Sequence, residues 1–330
     1  MSRSVLRAAA AGLAAGALLA GCAQEPLPEP RPVEVTEPVP VVDDGQAVMV
    51  RERVLDVLAS GDEALDAAPL ESRVTGPALE VRTARYTLRR QLEDRPELPD
   101  LGGELLLTAA PEADGWPRWF LTASRPAPDA APQLQVLTQE SPREMYRLTA
   151  WVTMLPGTTL PELPSGEPVQ ALDPAEQSGL VAAPAQVVAR YADALALGDD
   201  SEHAEFFADD VLRAQVVAEQ EAEREAVSEF FDYDVTHTPR EGQVWALRTS
   251  DGGAVVLGAI ESRRAFAVTA EGARLPLPED LAVLAGTEEA TEAATVTSLQ
   301  MVAFAVPPEG SSEPVTVLGG ERAVLAATAT

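Results

Sequence analysis

The sequence predicts an α+β fold in two tandem domains, each with N-terminal helices packed on a curved antiparallel sheet. Three observations carry that expectation. In each half, apolar residues first recur at helical spacing and then alternate in short β-prone runs, which is the order of helices followed by a meander of strands. The two halves also open alike: Arg53-Val54-Leu55-Asp56-Val57-Leu58-Ala59-Ser60-Gly61-Asp62 aligns with Arg190-Tyr191-Ala192-Asp193-Ala194-Leu195-Ala196-Leu197-Gly198-Asp199 at six of ten positions, at an offset of 137. Between them, residues 157–183 carry Pro161, Pro164, Gly166, Pro168, Pro174 and Gly179 without periodicity and read as a linker.

Taken in order, residues 1–21 follow the plan of a lipoprotein signal peptide. Arg3 and Arg7 form the positive flank, and Ala8 to Ala20 is an unbroken run of Ala, Gly and Leu. That run of 13 residues falls short of the roughly 20 needed to span a bilayer, so it reads as a removable leader. It ends in Leu19-Ala20-Gly21-Cys22, and Cys22 is the single cysteine of the chain. Small residues ahead of a lone thiol predict cleavage and attachment of a diacylglycerol, with palmitate-type chains anchoring the mature protein; two acyl chains make membrane binding stable. Residues 22–44 then form a tether, with Pro26, Pro28, Pro30, Pro32, Pro38 and Pro40 among acids, which favours extended polyproline conformation.

The first domain is expected over residues 45–156. Its opening helix is closed by Gly61, and a second begins at Gly76-Pro77, where proline occupies the first helical position at no cost in hydrogen bonds. Val81, Ala84, Leu88 and Leu92 give that helix a buried stripe. Strands are expected at 104–109, 118–124, 133–138 and 145–155. The second domain, over residues 184–330, has a helix ending at Gly198 and a long acidic helix near 206–230. Strands are expected at 233–238, 244–249, 254–260, 265–269, 296–306 and 315–327.

Composition narrows the chemistry. The chain of 330 residues has 24 basic residues, all arginine, against 53 acids. Without lysine, phosphate-loop, serine-lysine and Schiff-base mechanisms are excluded. With the lone thiol committed to the anchor, thiolate metal sites, disulfides and cysteine nucleophiles go too. No cofactor is implied. Loss of the leader leaves 22 arginines and a net charge of −31, which repels nucleic acid.

The Gly-Asp break after an opening helix, followed by a short helix and a curved sheet, resembles the NTF2-like (cystatin-like) cone fold, here twice. More specific are Arg73-Val74-Thr75-Gly76-Pro77-Ala78-Leu79, Gly115-Trp116-Pro117-Arg118-Trp119-Phe120 and Met145-Tyr146-Arg147-Leu148. With the lipobox and Phe206-Phe207-Ala208-Asp209-Asp210, they resemble a family of actinobacterial lipoproteins with no assigned activity. That resemblance implies a location on the outer face of the cell membrane and brings no catalytic residues with it.

Candidate sites are therefore read from residue chemistry. Arg82, Arg85 and Arg89 recur at spacings of three and four, placing three guanidinium groups on one face of the second helix, opposite its apolar stripe. Such a face suits a solvated surface, an interface with the acidic second domain (for instance Glu219, Glu221, Glu223 and Glu225), or an anionic ligand. Trp116, Trp119, Phe120, Tyr146 and Trp151 gather on neighbouring strands, where core packing explains them and a ligand pocket around Trp119 and Tyr146 is the competing reading. The acids from Asp199 to Asp210, with His203 among them, match neither a calcium loop nor a zinc helix, so no metal site is expected. His237 shares a strand face with Tyr233 and Val235 and reads as structural.

The expected function is that of an envelope lipoprotein without catalytic activity, held to the membrane by the lipid on Cys22, that binds or scaffolds another envelope protein or wall polymer. The alternative is a small-ligand receptor or carboxylate-dependent enzyme working in an NTF2-like cavity. A partly polar pocket with one buried acid would favour the alternative, and a sheet face filled by its own side chains the first.

Overall fold

A computed structural model describes residues 39–92, 98–113, 115–164 and 168–330. The leader, the lipobox, Cys22 and nearly all of the tether lie outside the described residues. No helix among the described residues is long and apolar enough to cross a membrane.

The first half opens with α1 (Asp44–Ala64), α2 (Gly76–Gln91) and the strands β1 (Glu104–Ala109), β2 (Arg118–Arg125), β3 (Gln133–Gln139) and β4 (Arg147–Met154). Asp43 caps α1 through a reciprocal box with Gln46, and Ala47, Arg51, Val54, Leu58 and Gly61 form its buried stripe. Gly61 does not end this helix as expected. It lies inside it, against Leu70 and Tyr86, where a Cβ would stand 2.7 Å from Leu70 Cδ2; the helix instead closes at Leu65, in left-handed conformation.

The second half repeats the order. Helices α3 (Pro184–Leu197) and α4 (Val211–Val227) precede β5 (Phe231–Arg248) and β6 (Ala254–Val268). The short hairpin strands β7 (Leu275–Pro276) and β8 (Glu289–Ala290) flank α5 (Glu279–Ala285), and β9 (Ala293–Val306) and β10 (Thr316–Ala329) complete it. Here the glycine stop holds: Gly198 caps α3 at φ 58°. The expected helix from Phe206 begins later, at Val211, because Asp210 is extended and its side chain caps the Arg213 amide at 2.8 Å. Four expected strands merge into two, since Pro239–Val244 is a bulge rather than a turn. β5 lies at the sheet edge, where a proline is tolerated.

The fold is α+β with a curled antiparallel sheet, but the two halves do not build separate sheets. One eight-stranded sheet runs β1-β2-β3-β4-β10-β9-β6-β5. Each half is a helix-first meander, and the last strands of the two meanders pair with each other, Gly319 opposite Met154 and Gly320 opposite Thr153. The physical reason is the strand edge: β4 and β10 would each expose unpaired backbone groups, and joining them satisfies both. Side-chain alternation continues across the seam. Glu321 reaches Arg85 on α2 and Trp151 on β4, while its neighbour Arg322 reaches Glu219 on α4, so α2 and α4 cover opposite faces.

The 157–183 stretch is not a free linker. Leu163, Val169, Leu172 and Leu180 are buried, and it bridges both halves, Val169 with Pro111 and Ala171 with Leu247. These apolar residues, spaced too irregularly to register as helix or strand, are the points at which it enters the core.

Candidate functional site

The arginines of α2 form no common ligand face. Arg82 is 1% exposed, donates to Asp62 at 3.2 Å and to the Pro99 carbonyl at 2.5 Å, and lies 5.7 Å over the Trp151 ring. Burial lowers its pKa, opposed chiefly by Asp62. Arg85 is ion-paired with Glu321 of the second half, not with the α4 acids Glu219, Glu221, Glu223 or Glu225. Arg89 is half-buried and makes interactions of its own. The helix is wrapped on most sides because it packs across β4 and β10, which the one-stripe reading could not include.

Of the aromatic candidates, Phe120, Tyr146 and Trp151 belong to the core, Trp119 packs against it half-buried, and Trp116 is exposed. Tyr146 is buried with its ring 5.1 Å from Phe120, edge to face, and its hydroxyl donates to the Val41 carbonyl at 3.3 Å. Burial pushes its pKa up to about 12. Tyr146 borders a depression of about 370 Å³ with Arg53 and Arg73, but Met49 and Met145 on its walls are 52% and 56% exposed and no acid lines it. Trp119 is half-buried and lines a smaller hollow of about 230 Å³ beside Trp116 and Pro117. Among the described residues no group of His, Cys, Asp and Glu is placed to hold a metal ion.

The site with chemistry to offer lies in the second half, between α4 and the sheet. On β6 the inward positions read Ile260, Ser262, Arg264, Phe266, and on β9 Val296, Ser298, Gln300, Val302. Polar residues thus interrupt two otherwise apolar inward rows and separate one buried apolar cluster around Ile260 and Val302 from another around Phe266 and Val296. The gap is a cavity of about 330 Å³.

His237 lines it. Its Nε2 lies 2.8 Å from Gln220 Nε2 and its Nδ1 2.6 Å from Ser262 Oγ. Desolvation, reinforced by Arg264 and Arg322, lowers its pKa to about 4, so the ring is neutral at ordinary pH. With the Gln220 amide donating to Nε2, the ring proton sits on Nδ1 and is donated to Ser262, leaving the serine hydrogen free to point elsewhere. Gln220 and Gln300 are each 5% exposed and Ser298 7%. Among the described residues the side chains of Ser298 and Gln300 have no hydrogen-bond partner in the protein, although both line the cavity.

Two ion pairs flank these groups, Arg264 with Glu223 and Arg322 with Glu219, the acids one turn apart on α4. Glu223 also accepts from the Tyr233 hydroxyl at 2.9 Å. Burial first, and then the Glu223 charge, raises the Tyr233 pKa. Glu219 and Glu223 are tied to arginines, Asp280 is a third acid on the lining, and the histidine is a weak base, an arrangement suited to hydrogen bonding rather than proton transfer. The sequence reading placed His237 on the correct face but missed Ser262, Ser298, Gln300 and Gln220. The signal was available, as polar residues at successive inward positions of two neighbouring strands.

No curated protein and no solved structure matches the chain. A family match covers residues 38–329, and it gives no support to the NTF2-like resemblance or to a lipoprotein family. The match takes in both meanders and the strap between them, and the chain belongs to the family described as a domain of unknown function, DUF8094.

Proposed function

We propose that this protein is an envelope lipoprotein, anchored by acylation of Cys22, that binds a small uncharged polar ligand in the His237 cavity and does no chemistry on it. One observation carries the reading: Ser298 and Gln300, residues more than nine-tenths buried and without a side-chain hydrogen bond to the protein among the described residues, line a cavity of about 330 Å³. Polar side chains that the protein itself does not satisfy are met by ordered water or by a ligand that offers matching donors and acceptors. The volume falls at the low end of ligand cavities, roughly 300–1,000 Å³. The arginines and glutamates at the rim pair off, which disfavours a strongly charged guest, and the neutral histidine adds no charge. The repeated helix-first meander is consistent with duplication of an NTF2-like unit, with the two copies merged at β4 and β10.

Two measurements test the proposal. Cys22→Ala should move the protein from the membrane fraction to the medium, and persistent co-sedimentation with membranes would refute the anchor. Protein purified from its own membranes in a zwitterionic detergent should release a stoichiometric small molecule on denaturation, detected by mass spectrometry. The doubly substituted S298V/Q300L protein should release none while keeping its unfolding midpoint within a few degrees. An empty wild-type protein that also shows no thermal shift with any member of a panel of neutral polar compounds would end the binding reading.

A further inference from the structure

We infer that the ligand is a linear polyhydroxylated chain of at least two sugar-like units, and that it lies along α4 across two adjoining cavities. This rests on the binding reading above. A second cavity, of about 290 Å³, shares Val216, Gln300 and Arg322 with the first and continues past them to Leu212, Gln215 and Gly320. Gly320 shapes the far end: a Cβ there would stand 2.4 Å from Leu212 Cδ1.

The polar groups fit hydroxyls better than any other uncharged function. A hydroxyl donates and accepts at once, and each ion pair sets an arginine donor beside a carboxylate acceptor, so neighbouring hydroxyls can bridge it. Arg264 with Glu223 does this in the first cavity, and Arg322 with Glu219 stands where the cavities meet. Ser262 is oriented by His237 to donate, and the Gln300 amide, shared by both cavities, offers a donor and an acceptor. An anion would meet Glu219 and Glu223, and a cation would meet Arg264 and Arg322. Apolar walls from Val216, Val235 and Val324 suit the C–H faces of a ring.

Calorimetric titration of the full-length mature protein with a hexose, and with its linear β- and α-linked dimers and trimers, tests this. A dimer of at least one linkage should bind ten-fold or more tightly than the hexose, with little further gain for the trimer. Gln215 is exposed, lines only the second cavity, and is hydrogen-bonded to Glu219 at 2.8 Å. Gln215→Trp should fill that cavity and bring dimer affinity down to that of the hexose, while the hexose still binds the first cavity and the protein still unfolds cooperatively. Equal affinity for hexose and dimer, or a Gln215→Trp protein that still prefers the dimer, overturns the two-unit ligand while a one-unit ligand in the His237 cavity survives. If no sugar binds but an uncharged amide or other non-hydroxylic compound does, the ligand class is wrong and the binding reading stands.

Discussion

His237 shows how a single side chain reports on its surroundings. In the unfolded chain it titrates near 6.5, and in the folded protein near 4, because burial and the nearby Arg264 and Arg322 oppose its charging. Between those values the unfolded state binds the extra proton, so stability rises with pH across the window, is complete above about 6.5, and declines as the pH falls toward 4. The shift corresponds to a loss on the order of 3 kcal/mol. Replacing His237 with Gln, which keeps a polar group but cannot titrate there, should remove that part of the pH dependence. Urea midpoints of both proteins measured at steps between about pH 7.5 and 4.5 check it, and parallel curves would show that the ring titrates alike in the folded and unfolded states. The sequence allowed His237 to be placed on the Tyr233 and Val235 face. Its partners were not legible, because Gln220 approaches from a helix whose docking no local pattern records. Arg82 failed for a related reason: helical spacing gives the angle of a side chain but not which layers surround the helix, and buried Arg82 meets Asp62 of α1 and Trp151 of β4, from other segments of the chain.

At the level of elements, β1 was legible at both ends and β2 to β4 nearly so, because turn residues bound short apolar runs. The long strands β5, β6, β9 and β10 were harder, since a bulge and a turn look alike until a partner strand fixes the register. The join between β4 and β10 was not legible at all. It depends on two glycines that the sequence offers no reason to prefer over others. At Gly319 a Cβ would stand 2.6 Å from the Thr153 carbonyl oxygen, a rigid backbone atom of the partner strand, whereas at Gly320 it would meet the flexible end of Leu212. Gly319→Ala should therefore destabilise the protein by about 1–3 kcal/mol, the usual cost of overpacking, and Gly320→Ala by clearly less. Chemical denaturation with an unchanged m-value measures both. If the two variants lose the same stability, the seam is not the close approach it is taken to be here.

At the scale of the molecule, the main question is whether two helix-first meanders behave as two domains or as one. Independent domains meet through modest, polar surfaces and unfold separately. Here the halves share a sheet through β4 and β10 and an apolar cluster that draws Leu148 and Trp151 from one half and Leu257 and Met301 from the other. They also exchange ion pairs, Arg85 with Glu321 and Arg240 with Glu80, the latter at 2.6 Å. The 157–183 strap is hydrogen-bonded to both, Val169 to the Ala110 carbonyl and Leu172 to the Ala246 carbonyl. Separating the halves would expose the β4 and β10 edges and this common cluster together, which costs more than either half gains by ordering alone. Heating the whole protein should accordingly give one calorimetric transition whose van't Hoff and calorimetric enthalpies agree, and residues 39–156 expressed alone should show no cooperative unfolding. Two resolved transitions, or a first half that folds by itself with a sharp urea midpoint, would restore the tandem-domain reading. They would also mean that the cavity beneath α4 owes nothing to the first meander. A single transition ties that cavity to the entire sheet, so that a guest bound beside His237 raises the stability of residues as distant as β1 through the same cooperative unit.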